Sequence, residues 1–407
     1  WGFADKHRDL LPLTVYLTRI VLPAQLFFFI GGLVIATLYA RKHFVTPALG
    51  PIIYNIGIIL GGLLLAEKLG IQGLTWGALV GAFLGNFVLQ VLVVRKLGVK
   101  FRPSLNLRHP GVAKVGKLAL PVMLGLSLPY VDVIVNRSFA TLLSEGAVSA
   151  LQFANRLMQM PLGVFAQATA VALFPTLAEQ AARRQMGELR SSVNFGVRGI
   201  FFLTIPSSVL MVVLATPIVR MLFQHGAFTA EDAPYVGSAL VAYSIGIFAW
   251  AGQAIITRGF YALQDTVVPV VTGTIITVIF VPLNWLLMKP FGHAGLALAT
   301  SVAAILHMIA LMEILRRRLG GLNGGLIAQS FTKVVVSSLA AGATPWGFIR
   351  LSSPYIDATH STGAAVGVLG ATFTALAVYV ALVSILKVDE AGEIWRIIAQ
   401  RFRRSAA

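Results

Sequence analysis

Long apolar runs separated by short polar stretches dominate this sequence. Runs of about 20 residues, the length that a helix needs to cross a bilayer, recur along the whole chain. They predict about eleven membrane-spanning helices, at roughly 14–38, 47–66, 73–94, 118–140, 148–176, 198–222, 236–260, 267–287, 293–315, 331–349 and 364–386. The composition agrees, with 57% hydrophobic residues, 12% charged residues and a mean hydropathy of +0.83. We therefore expect an all-α polytopic membrane protein.

One of these spans, 148–176, is apolar around most of its surface but carries a polar stripe. At helical spacing a single face holds Gln152, Asn155, Arg156, Gln159, Gly163 and Gln167. An arginine inside a span costs at least about 2.5–3.5 kcal/mol on insertion scales, so Arg156 is a candidate functional residue. The alternative is that Arg156 pairs with a carboxylate and only joins helices.

Basic residues are concentrated in alternate loops. One side holds the stretches 95–117, 183–198 and 316–318 and the basic C-terminal tail, whereas the other side has few. The excess of Lys and Arg in cytoplasmic loops then predicts a cytoplasmic C-terminus and, with eleven spans, an outer N-terminus. The net charge of +17 thus reflects membrane topology and does not indicate nucleic-acid binding.

The sequence contains an internal repeat. Shifting it by 222 residues aligns 70–98 with 292–320 without a gap and pairs several glycines, including Gly70 with Gly292 and Gly98 with Gly320. We infer two pseudo-symmetric helical lobes. The predicted division is an N-lobe remainder of three helices (1–100), a basic interfacial connector (101–117), a six-helix C-lobe (118–320) and a C-terminal helix pair with a basic tail (321–407). The N-lobe then lacks about three helices, and the first residue, Trp1, indicates that the natural start is missing.

Few other polar groups lie within the spans. Asp132 is the carboxylate nearest the middle of a span, so it is an ion site, a proton site or a partner for Arg156. Asn284 and Thr300 would add oxygen ligands for Na⁺ beside it. We therefore predict no cofactor other than a coupled monovalent cation, Na⁺ or H⁺.

A second mixed stripe, formed by Tyr243, Trp250, Gln253 and Thr257, is more typical of helix packing than of ligand contact.

The sequence has no clustered histidines at metal spacing, no cysteine and no nucleophile or phosphate-loop motif, so we predict that it is not an enzyme and holds no metal centre. Two lobes with a polar seam favour a transporter. Arg156 suits a phosphate or diphosphate, which it can bind with a bidentate fork.

Four strings closely resemble the lipid II flippase (MurJ/MviN) family of the multidrug/oligosaccharidyl-lipid/polysaccharide exporter superfamily. They are NRLMQMPLGVFAQATAVALFPTLAEQ (155–180), LFQHGAFTAEDA (222–233), GFYALQDTVVPV (259–270) and GHAGLALATS (292–301). The resemblance implies fourteen helices, in two six-helix lobes and a terminal pair that forms a groove for a lipid tail. It also implies that Arg156 matches the family's cavity arginine, here flanked by Asn155 and Gln159 where members often have acidic residues.

The resemblance further implies a function. The chain would flip lipid II, the undecaprenyl-diphosphate-linked peptidoglycan precursor, from the inner to the outer leaflet of the bacterial cytoplasmic membrane by alternating access. Gln152, Asn155, Arg156 and Gln159 would bind the substrate. The expected partners are lipid II and membrane lipids, and the expected state is a monomer. The alternatives are a flippase for another polyprenyl-linked glycan, a multidrug–cation antiporter and a non-transporting scaffold for cell-wall assembly.

Overall fold

The computed structural model describes residues 10–99 apart from 42 and 44, residues 131–352 apart from 132 and 227, and residues 361–392. These residues are helical, with short turns between the helices and no β-strand. The chain divides into two compact units, 1–117 and 118–407, which are described in turn. The predicted connector at 101–117 and most of the predicted span at 118–140 lie outside the described residues.

The described part of the first unit contains four helices. They are α1 (Leu11–Val21), α2 (Ala24–Ala40), α3 (Val45–Leu69) and α4 (Gln72–Lys96). Together α1 and α2 make one apolar segment, interrupted just before α2 at Pro23. Within α4 the turns over Ala82–Val88 are π-helical.

Glycines allow α3 and α4 to approach closely. A Cβ placed on Gly61 would lie 2.7 Å from the Cα of Gly77, and one on Gly81 would lie 2.8 Å from the backbone oxygen of Tyr54. Larger side chains would separate the two backbones. Small residues serve the same purpose in many membrane helix pairs, where packing rather than hydrophobicity drives association.

The second unit contains ten helices in its described part. They are α5 (133–140), α6 (Ala147–Ala182), α7 (Met186–Val213), α8 (Ala215–Phe223), α9 (Asp232–Ser244), α10 (Ile247–Ala262), α11 (Val267–Arg318), α12 (Gly324–Gly342), α13 (Thr344–Ser352) and α14 (Ser361–Ile385). The main apolar core joins α7, α10 and the second half of α11, and includes Ile200, Ile255, Phe260 and Leu311.

The long helix α11 holds two of the predicted spans. It changes direction at Gly292, which has φ +55° and ψ −132°, a conformation that residues with a Cβ rarely adopt. In the described part of the chain, nine helical segments are long and apolar enough to cross a membrane. Because one of them is α11, they account for ten of the eleven predicted spans.

The internal repeat is visible in the backbone. Gly70 and its counterpart Gly292 have φ +57° and +55°, and Gly98 and its counterpart Gly320 have φ +76° and +66°. The polytopic all-α fold and the repeated lobes predicted from the sequence are confirmed.

The C-terminal helix pair, α12 and α14, packs on α7. The Tyr379 hydroxyl of α14 donates a hydrogen bond to the backbone oxygen of Phe202 at 2.8 Å. Just beyond α14, Glu390 is buried and forms an ion pair with Arg198 of α7, and it accepts a hydrogen bond from Ser330 of α12 at 3.0 Å. These contacts attach the appended pair to the second unit.

Candidate functional site

The polar stripe of α6 faces away from the core of its unit. Ala150, Ala154 and Leu157 on the opposite face are buried, whereas Arg156 and Gln159 are exposed. The sequence folds this way because small and apolar residues recur every three or four positions from 147 to 158 and pack against α9. The packing therefore leaves the polar side chains free for a ligand.

This stripe lines a pocket of about 300 Å³ between α5, α6, α9 and the second half of α11. We call it the arginine pocket. Its polar lining side chains are Asn136, Arg137, Gln152, Asn155, Arg156, Gln159, Tyr243 and Thr300. The structure thus brings together all four residues predicted to bind substrate and one of the three predicted for the ion site.

Arg137 is the main residue that sequence reasoning missed. It lies near the end of a predicted span and lines the same pocket as Arg156. A signal was present, because Val133, Asn136, Arg137 and Ala140 have the spacing of one helix face, and all four line the pocket.

Neither arginine has a carboxylate partner within the described residues. No ion pair or hydrogen bond joins Arg137 or Arg156 to another described side chain, whereas Arg183, Arg198 and Arg318 are all paired with acids. Asp132, the predicted alternative partner of Arg156, lies outside the described residues. Two guanidinium groups without acidic partners among the described residues give this part of the pocket a cationic lining.

Amide and hydroxyl groups complete the pocket. The Asn136 amide donates to the Thr300 hydroxyl at 2.9 Å, and Gln159 donates to the side-chain oxygen of Asn155 at 2.7 Å. The side-chain oxygen of Asn136 is buried and has no partner in the described part of the chain. These groups can hydrogen-bond an anion that the guanidiniums attract.

Two residues of the predicted ion site occupy different surroundings. Thr300 lines the arginine pocket, whereas Asn284 is fully buried and does not. The Asn284 amide donates to the backbone oxygen of Phe280 at 3.0 Å, and its side-chain oxygen has no partner among the described residues. Because Asp132 lies outside the described residues, the ion site stays a prediction.

Comparison with known proteins identifies the family. Residues 3–366 match the family described as "Lipid II flippase MurJ". This chain belongs to the MurJ family. The lipid II flippase MurJ of Burkholderia cenocepacia is 31% identical over 75% of this chain and 60% of its own length. A probable lipid II flippase MurJ from Haemophilus influenzae is 31% identical over 77% of this chain and 63% of its own length.

Solved structures agree with this assignment. A structure titled "Lipid II flippase MurJ, inward closed conformation" matches with a TM-score of 0.76 and 25% identity, over 92% of this chain and 74% of that one. A mutant of the Vibrio cholerae MATE transporter VcmN shares the fold, with a TM-score of 0.50 and 17% identity over 74% of this chain and 68% of that one. This chain spans about 60% of the length of the first curated MurJ relatives.

Membership of the MurJ family confirms several predictions. The family consists of transporters rather than enzymes. The apolar helical segments of this chain, together with its MurJ relatives, indicate a multi-pass protein of the inner membrane. The curated relatives are themselves named as lipid II flippases.

Proposed function

We propose that this chain flips lipid II from the inner to the outer leaflet of the cytoplasmic membrane, as part of a longer MurJ protein. Membership of the MurJ family supports the proposal. The observation that carries it is the arginine pocket, in which Arg137 and Arg156 lie without acidic partners in the described part of the chain.

Electrostatics favours a diphosphate as the group held there. Two guanidiniums that line one pocket repel each other, and a multiply charged anion between them replaces repulsion by attraction. Each guanidinium also presents a planar fork of donors that matches two phosphate oxygens. An organic cation would be repelled by the same pocket, so the charge argues against a cation antiporter.

The amides would orient the bound anion. Because the Asn155 oxygen accepts a hydrogen bond from Gln159, the Asn155 NH₂ group remains available to donate. Gln152 lies one turn earlier on the same face and adds a further donor. We propose that these groups hold the diphosphate while the polyprenyl tail stays in the bilayer.

Transport requires the pocket to open to each side of the membrane in turn. The sequence contains no cysteine, so one cysteine at Gln152 would report access directly. We expect a membrane-impermeant thiol reagent to label it from either side in the full-length protein, with lipid II shifting the balance. Labelling from one side under every condition would contradict alternating access.

We further propose that a monovalent cation, Na⁺ or H⁺, binds at Asp132, Asn284 and Thr300 and drives the cycle. The side-chain oxygen of Asn284, which has no partner among the described residues, supports this, since a buried acceptor without a partner costs about 1–3 kcal/mol that a cation would remove. Replacing Asn284 by Leu should abolish any dependence of transport on Na⁺ or pH. Transport by the unaltered protein that depends on neither would exclude the coupling.

The C-terminus is proposed to be cytoplasmic and the protein to act as a monomer. The arginines at 316–318 in the last turn of α11 support this orientation, because basic residues at the ends of spans remain inside. A cysteine added at the C-terminus should resist an impermeant reagent in intact cells. Light scattering of the purified protein should give the mass of one chain, and a dimer mass would contradict the monomer.

Flipping in cells tests the main proposal. Full-length protein with Arg156→Gln should lose most transport of lipid II. Arg156→Lys should retain part of it, because lysine keeps the positive charge but lacks the planar pair of guanidinium donors. Arg183→Gln is the matched control, since Arg183 directly follows the same helix but is paired with Glu179 and does not line the arginine pocket. Normal transport of lipid II by the Arg156→Gln variant would contradict the proposal.

A further inference from the structure

A second pocket adjoins the arginine pocket within the same unit. It has a volume of about 410 Å³ and lies between α10 and the two halves of α11. Thr300 lines both pockets. We call it the neutral pocket, because no described Asp, Glu, Lys or Arg lines it, and its histidine, His307, lies 3.3 Å from the Thr272 hydroxyl. Its volume lies within the range of about 300–1,000 Å³ that is typical of small-molecule sites.

Several polar groups in the neutral pocket are available to a ligand. The hydroxyls of Thr257 and Thr277 have no hydrogen-bond partner in the part of the chain that the structure describes. By contrast, the Thr274 hydroxyl of α11 donates to the backbone oxygen of Val270 at 2.9 Å. The Gln253 amide donates to the backbone oxygen of Ala304 at 2.7 Å, which leaves its side-chain oxygen available as an acceptor.

Aromatic rings form the rest of this pocket. Trp250 and Tyr261 of α10 and Phe280 of α11 line it, and Tyr261 is 37% exposed. Tyr and Trp combine an apolar face with a polar end, so they suit ligands that have both kinds of surface. Uncharged hydroxyl and amide groups beside aromatic rings fit a sugar ring, which has apolar C–H faces and a rim of hydroxyls.

We propose that the neutral pocket is the subsite for the sugar attached to the diphosphate, bound there as an uncharged sugar ring. This inference rests on the proposed function, because it places the diphosphate in the arginine pocket. The sugar is bonded directly to the diphosphate, so its subsite must adjoin the phosphate site. The shared residue Thr300 meets this requirement.

Other occupants fit the neutral pocket less well. A divalent metal cation favours carboxylate ligands, which the described lining of this pocket lacks. An anion would bind more strongly beside Arg137 and Arg156. A polyprenyl tail would leave the Thr257 and Thr277 hydroxyls without partners, at a cost in free energy for each.

Comparing the affinities for two ligands, one with the sugar and one without it, distinguishes an effect on the sugar subsite from an effect on the phosphate site. The chain is purified in detergent, and its affinity is measured for farnesyl diphosphate and for a lipid II analogue with a farnesyl chain. The test variant is Thr257→Val with Thr277→Val, which keeps the shape of both side chains. Thr274→Val is the matched control, because its hydroxyl is bonded within α11 and lies outside the pocket.

The double valine variant should bind the lipid II analogue about tenfold more weakly, because two hydrogen bonds are lost, and should bind farnesyl diphosphate as before. Tyr261→Leu, at an exposed position, should show the same selective loss. Unchanged binding of the analogue, or equal weakening for both ligands, would overturn the sugar subsite. Arg156→Gln should weaken both ligands, and unchanged binding by that variant would instead overturn the proposed function.

Discussion

The attachment of the C-terminal helix pair can be tested at one arginine with two acidic partners. Arg198 of α7 is paired with Glu390, whose side chain is 2% exposed, and with Asp389, whose side chain is 77% exposed. The Asp389 carboxylate lies 2.9 Å from the Arg198 Nη2 atom. Both acids bind the same guanidinium but differ in burial. Comparing the loss of each one therefore shows how much burial strengthens the ion pair.

The structure gives different magnitudes for the two removals. Replacing Glu390 by Ala leaves Arg198, 14% exposed, without its buried partner and leaves Ser330 without its acceptor. Removal of one partner from a buried pair typically costs about 3–5 kcal/mol. We expect about 3 kcal/mol, since Asp389 still neutralises part of the charge. Replacing Asp389 by Ala should cost only about 0.2–1 kcal/mol, as exposed ion pairs do.

The assay is equilibrium unfolding in mixed micelles, followed by tryptophan fluorescence, with the free energy of unfolding compared among the three proteins. Glu390→Ala should destabilise the second unit several times more than Asp389→Ala does. Equal effects of the two substitutions would refute the reasoning that burial sets the strength of this contact.

Two further predictions concern glycines. Gly292→Ala should destabilise the protein by about 1–2 kcal/mol in the same unfolding assay, because φ is +55° there, whereas Gly163→Ala has open space and should be close to neutral. A destabilisation by Gly163→Ala as large as that by Gly292→Ala would contradict this. Gly61→Leu should reduce the yield of folded protein, because α3 and α4 would be forced apart, while Gly32→Ala should not. Normal yield with Gly61→Leu would show that α3 and α4 tolerate separation.

Sequence predicts the helices because their signal is local. An apolar run of about 20 residues indicates a membrane-spanning helix wherever it occurs in the chain. Likewise, the paired glycines Gly70 and Gly292 occupy equivalent positive-φ positions in the repeat. The polar face of α6 is also a local pattern, so Arg156 and its neighbouring amides were found from spacing alone.

The rest of the site depends on contacts between distant segments. Arg137, Arg156 and Thr300 come from three different helices, and spacing along one helix cannot show that they share a pocket. The contact between Arg198 and Glu390 joins residues 192 positions apart. The spacing of the second stripe, which includes Gln253, is typical of helix packing, and spacing does not show which of its polar groups lack partners.

The most direct test of the central claim is whether Arg137 and Arg156 bind the diphosphate together. Affinity for the farnesyl lipid II analogue should be measured for the unaltered chain, Arg137→Gln, Arg156→Gln and the double variant. Each single change removes charge-assisted hydrogen bonds worth about 1.5–3 kcal/mol and should weaken binding by roughly 10- to 150-fold. The double variant should lose less than the sum, because both arginines bind one anion. Equal affinity in all four proteins would contradict the account.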